Sequence, residues 1–406
     1  MSRPSRVHVV SELYYPEGSS TGRILTRLAE GLAEDREVHA LCCRPTYESR
    51  GEAVPTTEVH KGVHIRRVAS TTFDKNRLVG RAFNALSATA SMFLGGLKTF
   101  RRGDVVLTVT NPPTMPFVVS AAARLKGARF VLLIHDIYPD SLVSAGLAGP
   151  ASLPVRLWSA ANRRLSRASR AIVVLGRDAV NRWGAYGGRE KINVLPNYSE
   201  PEIIEPRPRA ENPVLARLGL LDRLVFQYAG NMGRTHDIES LAAGIRLVKE
   251  QTPQAHFLFI GSGARRPLLE ALSAEMPEMV TVLDYQKRDG LNDVLNACDW
   301  ALISQSRGMA GVSIPSRMYN VFCTGRPILA VAEAEAELSL NVAEHRLGRV
   351  IPPGSPEAFA QAVAEIAADP AGPEGVIERS RALADATDFQ SMLAGYRRLF
   401  DALDRV

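Results

Sequence analysis

The sequence predicts an α/β protein made of two Rossmann-like domains that face each other across a cleft. Three observations lead there. Apolar strand-like runs alternate with amphipathic helical stretches in two successive series. A proline-rich passage separates the series, and the two halves carry opposite charge.

In the first half, Val7–Leu13, Val38–Cys43, Val105–Thr110, Phe130–His135 and Ala171–Leu175 read as strands with helical patterns between them. Such alternation implies a parallel, doubly wound sheet. Residues Pro196–Pro213 hold five prolines and break the pattern. The second half repeats it at Leu224–Ala229, His256–Ile260, Val280–Leu283, Trp300–Ser304 and Pro327–Val331. The expected domains are therefore 1–197 and 198–388. A chain of 406 residues also exceeds what one hydrophobic core usually serves.

Charge divides the same way. Residues 1–197 carry 28 Lys and Arg against 15 Asp and Glu, a balance of +13, and the remainder carries 21 against 28, a balance of −7. A basic half joined to an acidic half points to a polyanionic neighbour for the first domain, a nucleic acid or an anionic membrane surface. No nucleic-acid motif is present and the aromatics are not interleaved with the basic runs, so nucleic acid is not expected as a partner. The start MSRPSRVHVV has no signal-peptide core and no stretch of about 20 residues is uniformly apolar, which argues against secretion and a spanning helix. Cys42, Cys43, Cys298 and Cys323 lack metal-site spacing and read as buried reduced thiols.

Ligands of open α/β sheets sit beyond the carboxyl ends of the strands, so the loops after strands are the candidates for chemistry. After the first strand, Gly18-Ser19-Ser20-Thr21-Gly22-Arg23 opens a helix and suits a hydroxyl-rich or anionic ligand, or a tight turn alone. The fourth strand ends in His135-Asp136, where an imidazole could position a hydroxyl group. The second half opens with Tyr228-Ala229-Gly230-Asn231-Met232-Gly233-Arg234-Thr235-His236-Asp237, and Gly261-Ser262-Gly263 repeats the device after the next strand, with Arg265 and Arg266 following. Two glycine turns on one sheet edge are a phosphate or nucleotide signal. Neither half has the dinucleotide fingerprint, which disfavours an NAD-dependent dehydrogenase.

The most informative segment is Gly308-Met309-Ala310-Gly311-Val312-Ser313-Ile314-Pro315-Ser316-Arg317-Met318-Tyr319-Asn320, leading to Gly325-Arg326-Pro327. Pro315 and Ser316 read as a helix start whose free amides, with the fixed charge of Arg317, suit a diphosphate. No Asp-x-Asp pair is present, and His60-x-x-x-His64 is followed by a β-rich run rather than a helix, so no metal is expected.

Gly22-Arg23, His135-Asp136, Leu195-Pro196-Asn197, Gly230-Asn231, Gly261-Ser262-Gly263, Gly325-Arg326-Pro327 and Pro352-Pro353-Gly354 together resemble the retaining glycosyltransferases of family 4, which have the GT-B fold. The resemblance spans nearly the whole chain. Ser313–Asn320 is similar to the bacterial O-antigen and capsule branch, including the L-fucosamine transferase (WbuB-like) group. Two family features are altered. Ala310 and Asn320 stand where a pair of Glu residues is usual, and Asn231 and His236 where an Arg and a Lys are usual.

The resemblance implies a retaining, metal-independent transfer of a sugar, an N-acetylhexosamine or deoxy-hexosamine, from a nucleotide-sugar donor with UDP favoured. The acceptor is a polyprenyl-diphosphate-linked saccharide. The second domain binds the donor through Gly230, Asn231, Gly233, Gly261, Gly263, Ser313, Ser316 and Arg317, with Asn320 or Glu337 on the ribose. Arg234 and Arg317 supply the altered positive charge, and His135 completes the catalytic set. The first domain binds the acceptor through Gly18–Arg23 and Asp136, and residues 389–406 form a helix crossing back to it. No cofactor is expected.

Two segments suit an anionic leaflet, placing the protein in the cytoplasm on the inner face of the plasma membrane. One is Arg77–Arg102, with Arg77, Arg81, Phe83, Phe93, Arg101 and Arg102. The other is Leu153–Arg170, with Trp158, Arg163 and Arg164. Helices packed on the sheet with basic outer faces would read the same way. A nucleotide-sugar epimerase of the same architecture, or a non-catalytic nucleotide-sugar or lipid-binding partner, is the alternative function.

Overall fold

A computed structural model of the chain describes residues 4–45, 54–71, 78–286 and 288–405, with the side chains of residues 78, 79, 81, 82 and 85 outside the description. It divides into two compact units, Met1–Pro139 with Ala151–Pro196 and Met392–Val406, and Asp140–Pro150 with Asn197–Ser391.

The first unit holds strands β1 (Val7–Ser11), β2 (Val38–Cys43), β3 (Thr57–His60), β4 (Val63–Val68), β5 (Val105–Val109), β6 (Arg129–Ile134), β7 (Ala171–Val174) and β8 (Ile192–Val194). They form one sheet in the order β3-β4-β2-β1-β5-β6-β7-β8, parallel except for the β3–β4 hairpin. β1 and β5 are buried along their whole length. That is why they read as unbroken apolar runs, since a parallel sheet is covered on both faces. The helix Ser20–Leu32 is started by Ser19, whose side chain accepts from the amide of Gly22, and buries Ile24, Leu25, Leu28 and Leu32 at helical spacing. Helices Leu78–Thr99, Met115–Lys126 and Leu153–Ala168 pack in series.

Residues 392–406 belong to this unit. Leu393, Tyr396, Phe400 and Leu403 are buried at helical spacing. Arg36 pairs with Asp401 (2.5 Å) and Asp404 (3.5 Å), Arg129 with Asp404 (3.0 Å), and Arg397 with Glu34 and Asp35 (2.9 and 2.6 Å).

The second unit holds β9 (Leu224–Ala229), β10 (Ala255–Ile260), β11 (Val280–Leu283), β12 (Trp300–Ser304), β13 (Ile328–Val331) and β14 (Gly348–Ile351). The sheet is parallel throughout, in the order β11-β10-β9-β12-β13-β14. Asp140–Pro150 clusters with the second unit, where Ser144 Oγ donates to Gly308 O at 2.7 Å.

Candidate functional site

The carboxyl end of β9 turns sharply at Gly230, whose φ is +138°. The next turn, after β10, packs directly on it: Gly230 N donates to Ile260 O (2.8 Å), Met232 N to Ser262 O (2.7 Å) and Arg265 N to Met232 O (2.9 Å). A Cβ on Gly261 would stand 2.0 Å from Gly230 O, and one on Gly263 2.5 Å from Met232 O. These glycines therefore have a structural reason to be glycine that the ligand reading did not include: the two turns need them in order to pack together.

Arg317 lies on this platform. Its guanidinium sits 4.1 Å over the Tyr228 ring, Nη2 donates to Asn231 O at 2.9 Å, and a Cβ on Gly230 would come within 3.1 Å of Cζ. The Tyr228 hydroxyl donates to the same Asn231 oxygen at 2.8 Å. The Arg317 Nη1 is buried and has no hydrogen-bond partner among the described residues. A planar guanidinium fixed on an aromatic face with one donor unused is a ready anion contact. Beside it, His236 Nδ1 donates to Ser304 O at 2.7 Å, so the neutral ring keeps Nε2 as an acceptor. Burial, and then the charge of Arg317, push His236 down to about 3. Burial moves Tyr228 the other way, upward.

Ser316 and Arg317 stand where the helix Arg317–Thr324 begins. The amides of Met318 and Tyr319 are already used, donating to Pro315 O and Ser316 O. Those of Ser316 and Arg317 have no acceptor among the described residues, so the expected anion-facing amides narrow to two. Ser313 O accepts from Gln305 Nε2 at 2.9 Å, and Asn320 lies half-buried on the helix. Glu337 is buried with Oε1 accepting from Asn341 Nδ2 at 2.8 Å. Gly233 is half-buried in the turn, whereas Arg234 is exposed and forms no ion pair among the described residues.

Three groups were given no role of their own by the sequence reading, although Tyr228 and Asp237 lie in the loop it quoted. Glu333 accepts the amides of Gly308 (2.9 Å) and Ala310 (3.1 Å), holding the loop that carries one of the altered Glu positions. Asp237 caps the helix Ile238–Gln251 through the amide of Ser240 and also accepts Gly354 N at 2.6 Å. Tyr228 supplies the ring under Arg317. Glu333, Tyr228 beneath Arg317 and the Asp237–Gly354 contact act across long sequence separations, which leave no local spacing to detect, whereas the Asp237 cap on Ser240 is a local signal.

In the first unit, Thr21, Thr110, His135 and Asp136 meet at the carboxyl edge of the sheet. Thr110 Oγ1 accepts the amides of both His135 (3.1 Å) and Asp136 (3.2 Å), and Thr21 Oγ1 lies 3.5 Å from His135 Nδ1. The His135 Nε2 is buried without a partner among the described residues, and burial lowers its pKa to about 4. Ser19 and Gly22 are engaged in the helix cap, and Arg23 N donates to Ser19 O. Gly18 and Ser20 are exposed.

Of the residues expected at a membrane, Arg77 lies outside the described residues, as does the side chain of Arg81. Phe83 is exposed, with Leu86 and Leu94 on the same helix, while Phe93 is half-buried. Arg101, Arg102, Arg163 and Arg164 are exposed. Trp158 is not an outward residue: it is half-buried against Phe117 (6.0 Å) and Tyr138 (6.2 Å), and its helix exposes Leu153 and Leu157 instead. Among the described residues no helix is long and apolar enough to cross a membrane, and no group of three or more His, Cys, Asp or Glu could hold a metal ion.

Two largely parallel sheets with their strand-end loops are the setting for the family that the sequence comparisons show, the glycosyltransferases. The chain belongs to that family: residues 20–198 match the glycosyl transferase 4-like domain and residues 223–369 the glycosyl transferases group 1 domain. It is 33% identical over 307 residues to the probable glycosyltransferase WbjE of Pseudomonas aeruginosa, covering 72% of this chain and 73% of that protein. It is 27% identical over 222 residues to the putative colanic acid biosynthesis glycosyl transferase WcaI of Escherichia coli (strain K12), 53% of this chain and 54% of that one.

The fold is that of sucrose-phosphate synthase from Thermosynechococcus elongatus (TM-score 0.76, 17% identity, 98% of this chain and 100% of that one). It is also that of Anabaena HepE in complex with UDP and glucose (TM-score 0.71, 13% identity, 99% and 100%).

Proposed function

We propose that this enzyme is a retaining, metal-independent transferase of bacterial surface polysaccharide synthesis. It moves a sugar, an N-acetylhexosamine or deoxy-hexosamine, from a UDP-linked donor to a polyprenyl-diphosphate-linked saccharide. The observation that carries the reading is Arg317, locked over Tyr228 with Nη1 unused, beside the unpaired amides of Ser316 and Arg317. As the sugar departs, negative charge grows on the diphosphate, and these donors stabilise it. One well-placed donor to such charge contributes about 3 kcal/mol. The turn at Gly230–Asn231 takes the nucleotide side, with Asn320 or Glu337 at the ribose.

In the first unit, neutral His135 positions a hydroxyl group of the acceptor or the sugar through Nε2, with Thr21 and Asp136 beside it. Its low basicity suits orientation better than proton removal at neutral pH. The acceptor proton then goes to the leaving diphosphate on the same face of the sugar, the route by which configuration is retained. The WcaI and WbjE likenesses favour the polysaccharide setting, and HepE was captured with UDP and glucose, which favours UDP.

The lipid-linked acceptor calls for attachment to the inner face of the plasma membrane. The exposed Phe83, Leu86 and Leu94 on one helix, and the exposed Leu153 and Leu157 with Arg156, Arg163 and Arg164 on another, support such a surface. The test is transfer from a labelled UDP-sugar to a polyprenyl-diphosphate-linked sugar in EDTA, with the product anomer read by NMR. Product of the donor's own anomeric configuration supports the reading. Inverted product, or conversion of the donor without acceptor, contradicts it.

A further inference from the structure

The amino ends of the first unit's strands, opposite the edge that carries His135, also hold an organised set of residues. His8, His39 and His64 occupy the same register on β1, β2 and β4. Side chains in register on neighbouring strands share one face at the strand spacing. The three rings accordingly stack, with centroids 5.1 Å apart for His8 and His39 and 5.0 Å apart for His39 and His64. They line an open cavity of about 430 Å³ together with Arg66, Lys98 and Arg101.

The charges of this cavity are unbalanced. Its inner wall is internally paired: Asp104 binds His8 Nε2 (2.9 Å) and Arg6 (2.8 Å), and Glu37 binds His39 Nε2 (2.8 Å). Glu58, the carboxylate on the lining, is engaged by Arg67. The outer wall is not paired. Arg66, Lys98 and Arg101 are exposed and have no carboxylate within ion-pair distance among the described residues. His8 is 1% exposed, yet its Nδ1 has no hydrogen-bond partner among the described residues. Asp104 stays ionised there. Its burial is outweighed by bonds from His8, Arg6 and the amide of Arg101, which bring it to about 2.

We propose that this cavity is a second ligand site, independent of the donor and acceptor sites, which binds a phosphate-bearing anion between the histidine stack and the Arg66–Lys98–Arg101 rim. Concave cationic walls concentrate such anions, and the volume suits a small phosphorylated molecule or a phospholipid headgroup.

The probe is pyrophosphate, titrated by calorimetry into Arg317→Ala protein so that the second unit's cation does not contribute. Saturable binding is expected. Adding Arg66→Gln, Lys98→Gln and Arg101→Gln should weaken it about tenfold or more, the worth of a single charge-assisted hydrogen bond. In the wild-type protein, pyrophosphate should shift the imidazole C–H resonances of His39 and His64, identified through His39→Gln and His64→Gln, and leave those of His256 in place. This second readout stands even if the triple replacement fails to fold.

Short-chain phosphatidylglycerol below its micelle concentration separates the two sources of phosphate. Stronger shifts from the lipid support the site as a headgroup site, and stronger shifts from pyrophosphate support it as a site for a soluble anion. Unmoved histidine resonances with both probes, or binding indifferent to the three rim replacements, would overturn the proposal.

Discussion

Arg317 and Asn231 are joined by a 2.9 Å hydrogen bond from Nη2 to the main-chain oxygen, and the same oxygen accepts from the hydroxyl of the Tyr228 ring beneath the guanidinium. The arginine is thus held at one end and across its face. Arg317→Ala should lower turnover by two orders of magnitude or so, about 3 kcal/mol of lost stabilisation. Arg317→Lys should recover little, because a lysine cannot stack and donate together. Liposome binding should be unchanged in both. Equal losses of turnover and liposome binding would remove Arg317 from the diphosphate site.

His135 makes a separable prediction. Its Nε2 is enclosed and unpartnered among the described residues of the first unit, while the nucleotide is proposed to bind the second. His135→Ala should leave nucleotide affinity nearly intact and reduce the rate of transfer. A large loss of nucleotide affinity would contradict an acceptor-side role.

The same histidine, with His236, sets an acid limit. Burial lowers both, to about 4 and about 3, from the ordinary value of 6.5. Between those values and 6.5 the unfolded chain binds more protons than the folded one, so stability falls as pH falls. The stabilising contribution is complete above pH 6.5 and erodes below it. Urea midpoints measured from pH 7.5 to 4.5 should drop, and the drop should be smaller in His236→Gln. An identical slope in that variant would mean that His236 is not buried as described.

The basic face of the helix Leu153–Ala168 gives a fourth test. Arg156, Arg163, Arg164 and Arg167 are exposed and lack ion-pair partners among the described residues. Each contributes about 1 kcal/mol near an anionic leaflet. Replacing the four with Gln should weaken co-sedimentation with phosphatidylglycerol liposomes while donor binding persists. Unchanged sedimentation would move the membrane face elsewhere on the molecule.

Much of the fold was legible because the central strands are buried on both faces and read as continuous apolar runs. Thr57–His60, Ile192–Val194 and Gly348–Ile351, which escaped, are short edge strands with residues partly exposed, so neither an apolar run nor a long alternation marks them; Val63–Val68, an inner strand, was noted only as a β-rich run because His64, Arg66 and Arg67 interrupt its apolar positions. Arg317 was legible because Pro315 and Ser316 announce a helix start. Glu333, Asp237 and Tyr228 were not, since their roles arise from contacts with Ala310, Gly354 and Arg317 that only the folded sheet brings about. The glycines at 261 and 263 were read for ligand approach, but they also satisfy the packing of one turn on another. Sequence spacing alone does not separate those two demands.

The most direct test of the central claim, that the second unit binds a nucleotide diphosphate through Arg317, is calorimetry of the purified protein in EDTA against UDP, GDP and their sugar conjugates. Micromolar binding of the uridine series is expected, weakened at least about tenfold in Arg317→Ala. Binding of none of them, or binding indifferent to Arg317, would contradict it.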